Sequence, residues 1–374
     1  MIICIPKEKH AGETRVAMVP ENAAKLVKMG AQVTVESGAG AACGYSDTDY
    51  AACGTTVVQD RRELLSSADM VLRLRKPPAE EVGWLKQGSV HISFLDPFNE
   101  LELIQKLAAQ SVSAISMEMV PRISRAQKMD ALTSQANLAG YVAVILAADH
   151  LNRILPMMTT AAGTIMSAKV FIIGVGVAGL QAIATAKRLG ASVEAFDTRP
   201  VVAEQVQSLG AKFVKIDLGE IGQTKDGYAK ALTDEQTAKQ REGIKKYCAA
   251  ANVVITTAQV FGKKAPIILT ANMVAGMGKG SVIVDLPIES GGNVEGSVLN
   301  QVIEKNGVKI VGLANLPGRV PLSASKLYST NLLGLIEEFW NKEAKNFVLK
   351  LDDEIIKGCL MTHNGQVCYQ AVKK

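Results

Sequence analysis

Aromatic residues make up only 5% of this 374-residue chain, and there are just four histidines. So few rings argue against a platform that stacks single-stranded bases. Lys plus Arg number 41 against 36 for Asp plus Glu, a net charge of +5 that is spread along the chain. That field is too weak to call for nucleic acid. The six cysteines (Cys4, Cys43, Cys53, Cys248, Cys359, Cys368) show no CxxC spacing, and the histidines are as scattered, so no metal site is expected. Isolated thiols in a long chain read as reduced cysteines of a cytosolic protein. No signal peptide is expected either, because the short apolar start runs straight into Lys7, Glu8 and Lys9. The longest uncharged stretch, 131–148, holds Thr133, Ser134, Gln135 and Asn137 and is not expected to span a membrane. Residues 154–168 are broken by Pro156 and Gly163. No repeat of about 20–50 residues is present.

What remains is an ordinary globular composition, 48% apolar and 21% charged. At ~150 residues per domain the length predicts two domains. In the first third, short β-branched runs at 2–5, 32–36, 55–58, 70–75, 89–95 and 111–117 alternate with helical patterns at 21–29, 47–53, 61–68 and 100–109. Such alternation predicts a parallel sheet covered on both faces. A helix over about 130–155 bridges to a second domain with six predicted strands, and a helix over 324–340 returns to the first. The expectation is an α/β protein of two Rossmann-like parallel-sheet domains with a cleft between them. The first domain is expected to be discontinuous, 1–137 plus 320–374, and the second to run over 138–319.

Gly174-Val-Gly176-Val177-Ala-Gly179 follows the apolar strand at 170–173 and opens a helix predicted over 180–189. The first glycine permits the turn, the second lets backbone approach a pyrophosphate, and the third lets helix and strand pack closely. Phosphates then meet free N–H groups at the helix start. Asp197 ends the next strand, where a carboxylate accepts from ribose hydroxyls and repels a 2′-phosphate. These features favour NAD over NADP. Arg199, two residues on, is the feature that could instead receive a 2′-phosphate.

A polar run from Arg122 to Asn137 precedes the bridging helix and contains Arg125, Gln127, Asp130 and Thr133. Arg, Gln, Asp and Thr can together bind a carboxamide. Equally, Asp130 can simply cap a helix. Lys225-Asp-Gly227-Tyr228-Ala-Lys230 lies in an aperiodic stretch and reads either as a mobile lid or as a plain surface loop. None of His10, His91, His150 and His363 is placed where oxidation of an alcohol or amine would need its acid/base. Hydride transfer between two nicotinamides needs no proton at the reacting carbons.

Over essentially its whole length the chain resembles the NAD(H)-binding component of the proton-translocating NAD(P) transhydrogenase family. The resemblance is carried by Pro6-Lys-Glu8, Gly12-Glu-Thr-Arg15 through Pro20, Met117-Glu118 through Gln127, Asp285-Leu-Pro-Ile-Glu289-Ser-Gly-Gly-Asn293, and Asn315-Leu-Pro317. It implies that Arg122, Gln127, Asp130 and Thr133 serve the nicotinamide, Thr133 standing where the family usually has Ser. It assigns Gly174, Gly176, Val177, Gly179, Asp197, Thr198 and Arg199 to the pyrophosphate and adenosine. Gly227 and Tyr228 would close over NAD(H), with Tyr228, Gln127, Asp130, Arg122 and Thr133 as the group that governs transfer. Gln240 and Gln259 match further binding positions, although Gln259-Val260-Phe261-Gly262 departs from the family's Leu-Ile-Pro-Gly.

The resemblance further implies a homodimer that docks on the cytoplasmic face of the inner membrane through its partners. These would be a membrane alpha subunit and a beta subunit that holds NADP(H). Alanine dehydrogenase is similar too, but its catalytic Lys and His positions correspond to Arg75 and Asp96 here. Two other readings, an amino-acid oxidoreductase of that kind and a non-catalytic NAD-binding module, therefore stand behind the first.

Overall fold

The computed structural model describes residues 1–219, 232–260 and 262–369. The chain divides into two compact units, Met1–Gln135 with Gly318–Lys374, and Ala136–Pro317.

The first unit begins with β1 (Ile2–Ile5), α1 (Pro20–Lys28), β2 (Gln32–Glu36), α2 (Asp47–Ala52), β3 (Thr56–Val58) and α3 (Arg61–Ser67). It continues with β4 (Met70–Leu72), β5 (Val90–Ser93), α4 (Leu101–Ala109) and β6 (Ser113–Ser116). Local chemistry sets the helix starts. Pro20 opens α1, where a missing N–H costs nothing. Ser46 and Asp49 form a capping box on α2, and Asp60 accepts the Glu63 N–H at 2.9 Å on α3.

Helix α5 (Ala131–His150) carries the chain across the unit boundary. By length and composition alone it is apolar enough to cross a membrane, but half of that span is buried within the protein. Its early polar residues are used internally: Gln135 donates to Ala324 O at 3.1 Å and Ser134 to Asn331 Oδ1 at 2.7 Å.

The second unit holds β7 (Met158–Thr160), β8 (Gly163–Ile165), β9 (Lys169–Ile173), α6 (Val177–Arg188), β10 (Ser192–Phe196), α7 (Ala203–Ser208) and β11 (Lys212–Phe213). It then has α8 (Asp234–Ala250), β12 (Val253–Thr256), α9 (Ala271–Ala275), β13 (Val282–Asp285), β14 (Gln301–Lys305) and β15 (Val308–Gly312). The return to the first unit comprises α10 (Pro321–Glu338), β16 (Trp340–Asn341), β17 (Asn346–Phe347), α11 (Glu354–Cys359), β18 (Leu360–His363) and β19 (Gln366–Val367).

The first sheet has eight strands in the order β19-β18-β6-β5-β4-β1-β2-β3. Strands β1 to β6 pair in parallel, while β18 runs antiparallel to β6 and β19 antiparallel to β18. Alternate residues of these strands point to opposite cores. Ile3, Ile5, Met70 and Leu72 meet Tyr328, Leu332 and Ile336 of α10, whereas Cys4 and Val71 meet Leu64, Ile104 and Leu107.

The second sheet has seven strands, β11-β10-β9-β12-β13-β15-β14, one more than the sequence suggested. The extra strand, β14, is antiparallel to β15. Both antiparallel additions turn on Asn-Gly pairs at positive φ, Asn306 (54°) with Gly307 (80°) and Asn364 (47°) with Gly365 (79°). That dipeptide suits the tight hairpin turn, so the signal was present in the sequence.

In the second sheet the chain moves from β9 outward to β10 and β11, then returns to β12 on the other flank. The strand order therefore reverses between β9 and β12, where open α/β sheets place their ligands, outside the carboxyl ends of the strands. Gly174 follows β9 at this point, and Thr257 follows β12.

Candidate dinucleotide site

Gly174 leaves β9 with φ of 97° and donates its N–H to Phe196 O at 2.8 Å. A side chain there would be strained by the dihedral, and its Cβ would lie 2.5 Å from Thr257 Oγ1. Gly179 sits in α6, directly over the turn; a Cβ on it would fall 2.0 Å from Gly174 O. Gly176 differs from both. It is the exposed N-cap of α6, and a Cβ on it would meet nothing within 4 Å. The open space above Gly176, beside the N–H groups of the first turn, fits a pyrophosphate. Helix α6 starts at Val177, three residues before the predicted start, because Gly176 already serves as its cap.

Asp197 follows β10, and its carboxylate is fully engaged. Oδ2 accepts the Val175 N–H at 2.7 Å and Arg199 Nη2 at 2.9 Å; Oδ1 accepts the Arg199 N–H at 2.8 Å and Nε at 2.9 Å. Arg199 also reaches Val175 O at 3.2 Å. The hydrogen bond to Asp197 raises the Arg199 pKa against the opposing effect of burial. Acid and base thus form one unit that braces the glycine-rich turn. The sequence placed both residues at the adenosine end without showing that they pair. Thr198, between them, is half-buried; Gln240 is buried on α8, and Gln259 is exposed in the loop after β12. Gly227 and Tyr228 lie outside the described residues.

The Arg122–Thr133 run belongs to the first unit. It forms a 3₁₀ segment (Ser124–Met129) leading into α5. Asp130 caps α5 by accepting the Thr133 N–H at 2.8 Å and the Thr133 hydroxyl at 2.6 Å. The structure therefore joins Asp130 to Thr133, as the plain capping reading expected, and leaves Arg122 and Gln127 exposed. Neighbouring Arg125 turns away to Asp353 (2.6 Å) and Glu338 (3.2 Å).

A second charged constellation lies within the first unit, where strand order reverses between β1 and β4. Glu13, with its side chain 1% exposed, accepts from Arg15 Nε and Nη2, both at 2.7 Å, and from Arg75 Nε at 2.9 Å. Arg15 Nη1 donates to Gln135 Oε1 at 2.8 Å. Burial alone would raise the Glu13 pKa, but hydrogen bonding and charge from Arg15, with the charge of Arg75, hold it at about 2. Glu8 accepts the Leu74 N–H at 2.6 Å, and burial pushes its pKa up. A cavity of about 200 Å³ beside this network is lined by Lys7, Glu8, Glu13, Thr14, Arg15 and small residues of the 38–42 loop, and touches none of the dinucleotide residues.

Asp96 sits at the left-handed φ of 52°, with its side chain 47% exposed, and its N–H donates to Glu118 Oε1 at 2.6 Å. His91 is fully buried and its pKa is driven down to about 3 by burial and by the charge of Arg73, so it is a neutral core residue. His10 Nε2 lies 2.9 Å from Lys76 O, and His363 Nδ1 lies 2.9 Å from Ser113 Oγ. Among the described residues no group of three or more His, Cys, Asp or Glu side chains could hold a metal.

Two family models divide the chain between them. Residues 4–139 match the alanine dehydrogenase/PNT N-terminal domain and residues 143–370 the corresponding C-terminal domain. The chain belongs to the alanine dehydrogenase/PNT family. Within that family it is 44% identical to an NAD(P) transhydrogenase subunit alpha polypeptide of Rhodospirillum rubrum, over 100% of this chain and 99% of that protein. The solved structure of the transhydrogenase from Sinorhizobium meliloti superposes with a TM-score of 0.88 at 43% identity, covering 98% of this chain and 100% of that one. Alanine dehydrogenase of Bacillus subtilis is 30% identical over 100% of this chain and 94% of its own length. The fold is therefore the two-domain, mixed parallel-sheet α/β fold shared by the transhydrogenase and alanine dehydrogenase branches of the alanine dehydrogenase/PNT family. Two residues that shape the site had no role assigned from the sequence: Thr257, which contacts the turn, and Asn293. Asn293 lies inside the 285–293 motif, but its partners are far away in sequence.

Proposed function

We propose that this chain is the NAD(H)-binding subunit of a proton-translocating transhydrogenase. NADH is its substrate, and the hydride leaves directly for NADP+ held by a separate beta subunit. A membrane alpha subunit would couple that transfer to proton movement, with this chain a homodimer held at the cytoplasmic face of the inner membrane through its partners. The observation that carries the reading is the state of Arg75 and Asp96. Arg75 is clamped to buried Glu13, and Asp96, about half exposed at a left-handed φ, accepts from Asn99 Nδ2 at 2.8 Å and lies 3.8 Å from Lys76 Nζ. Where the alanine dehydrogenase branch carries a Lys and a His to move protons, this chain has a fixed cation and an exposed carboxylate. Transfer between two nicotinamides needs no such pair.

In this reading the second unit binds NAD(H) through its glycine-rich turn. The Gly174–Gly179 turn presents backbone N–H groups to the pyrophosphate, and its rigidity comes from the Asp197–Arg199 brace. Arg122 and Gln127, both exposed, would hold the carboxamide; their segment is pinned by the Asp130–Thr133 cap and by Asn331 Nδ2 donating to Lys128 O at 2.8 Å. Anchoring of that kind is what a group needs if it is to set the approach of two rings to ~3–3.5 Å. The test mixes the chain with an isolated NADP-binding transhydrogenase subunit and follows NADPH formation from NADH. Transfer that requires both proteins supports the reading. NADH production from alanine by the chain alone would replace it with the dehydrogenase reading.

A further inference from the structure

Asn293 is fully buried, and every polar atom of it is used. Its side-chain amide donates to Ala258 O at 2.9 Å and Pro266 O at 2.8 Å, and its Oδ1 accepts the Ala258 N–H at 3.1 Å. Its backbone N–H donates to Asp285 Oδ1 at 2.9 Å, and its carbonyl accepts from Ile268 N at 2.8 Å and Leu269 N at 3.0 Å. One side chain therefore ties Ala258 to Pro266. Asp285, at the end of β13, also accepts the Thr256 hydroxyl at 3.0 Å. Gly292 lies flat against this carboxylate; a Cβ there would be 2.4 Å from Asp285 Oδ2.

Ala258, which Asn293 fastens, and Thr257 just before it form the floor under the glycine-rich turn. Thr257 Oγ1 donates to Gly174 O at 2.9 Å, and the Gly174 Cα approaches so closely that an added Cβ would lie 3.2 Å from Ala258 N. Hydrogen bonds and packing therefore run without a break from Asp285 through Asn293, Ala258 and Thr257 to Gly174. They cross the point where the strand order reverses between β9 and β12.

We propose that Asn293 and Thr257 are positioning residues for the dinucleotide turn, holding the Gly174 carbonyl so that the N–H groups of the turn face the pyrophosphate. This rests on reading the second unit as the NAD(H) site. Asn293 has no hydrogen-bonding atom left over, and the Thr257 hydroxyl proton is spent on Gly174 O. Their effect is transmitted by where they hold Gly174.

The experiment measures NADH binding by fluorescence titration, with thermal unfolding in parallel, on the whole chain. Thr257→Val exchanges a hydroxyl for a methyl at constant shape and should weaken NADH about tenfold, the worth of one well-placed hydrogen bond. Thr257→Ser restores the hydroxyl and should bind within about twofold of wild type. Asn293→Ala should weaken NADH by about tenfold or more, and the double variant should be little worse than Asn293→Ala, because both act through one chain of contacts. Val311→Ala, in buried β15 of the same sheet, loosens the core and should leave affinity unchanged.

Unchanged affinity in Thr257→Val, or no rescue by Ser, would overturn the proposal. So would an equal loss in Val311→Ala, since the effect would then be general loosening. If Asn293→Ala fails to fold, the Thr257 pair decides alone. A wild-type chain that did not bind NADH would overturn the site reading itself, whereas wild-type binding with unaffected variants would overturn only the relay.

Discussion

Replacing Gly176 with alanine adds one methyl group at the N-cap of α6. Its φ of −84° and ψ of −166° are open to any residue, and the new Cβ meets nothing within 4 Å. Two opposing terms act on stability. Alanine restricts the unfolded chain, a gain of about 0.4–1 kcal/mol, but it is a poorer N-cap than glycine by a similar amount. The net change should stay within about 1 kcal/mol. Binding should behave differently, because the methyl enters the space that a pyrophosphate would occupy. A loss of NADH affinity of at least about tenfold, near 1.4 kcal/mol, is expected.

Gly179→Ala provides the contrast, since its Cβ would fall 2.0 Å from Gly174 O. Helix and turn must separate by about an ångström, an overpacking cost of roughly 1–3 kcal/mol. That should lower the melting temperature by about 2–4 °C for each kcal/mol in a domain of this size. Thermal unfolding and NADH titration on both variants separate the two effects. Wild-type affinity in Gly176→Ala, or destabilisation there equal to that of Gly179→Ala, would refute the assignment of this turn to the pyrophosphate.

Asp197→Ala should narrow the preference for NADH over NADPH, because it removes the like charge and frees Arg199 to meet a 2′-phosphate; competitive titration of the two dinucleotides reads this. Gln127→Asn retracts the amide by one methylene and should lower the rate of transfer to a partner-bound NADP+ far more than it weakens NADH, in single-turnover kinetics beside equilibrium binding. Glu13, held at about 2 in the folded chain, contributes stability in full above its ordinary range near 4.5 and loses it as pH falls toward 2. Glu13→Gln should thus cost about 3 kcal/mol at neutral pH, and the gap to wild type should close on acidification. Glu118, pushed up by burial, acts in the opposite sense in both proteins and cancels in the difference between the two denaturation curves, whereas Glu8, which the charge of Glu13 helps to raise, should titrate lower in Glu13→Gln.

The parallel strands and the glycine-rich turn were legible because each is a local pattern: short apolar runs bounded by Gly or Pro, and glycines at fixed offsets after one of them. The antiparallel strands β14 and β19 were missed although Asn306-Gly307 and Asn364-Gly365 announced them, because the alternation of strand and helix elsewhere suggested only crossovers. Asp130 was legible as a cap and proved to be one, through Thr133. What could not be read were pairings between distant segments. Asp197 and Arg199 are two residues apart, yet nothing in their spacing says that the arginine folds back onto the carboxylate. Glu13 meets Arg75 across 62 positions, and Asn293 reaches Ala258 across 35. Such contacts are made by the sheet order, which brings the strand ends together only once the chain has folded.

The central claim, that NADH on this chain gives its hydride directly to NADP+ on another protein, is tested most directly by isotope tracing. NADH deuterated at the transferable C4 position would be mixed with this chain, an isolated NADP-binding transhydrogenase subunit and NADP+, and the NADPH examined by mass spectrometry. Direct transfer predicts one deuterium in each NADPH formed, none released to water, and no product when either protein is omitted. Label washed out into solvent, or NADPH formed without this chain, would contradict it.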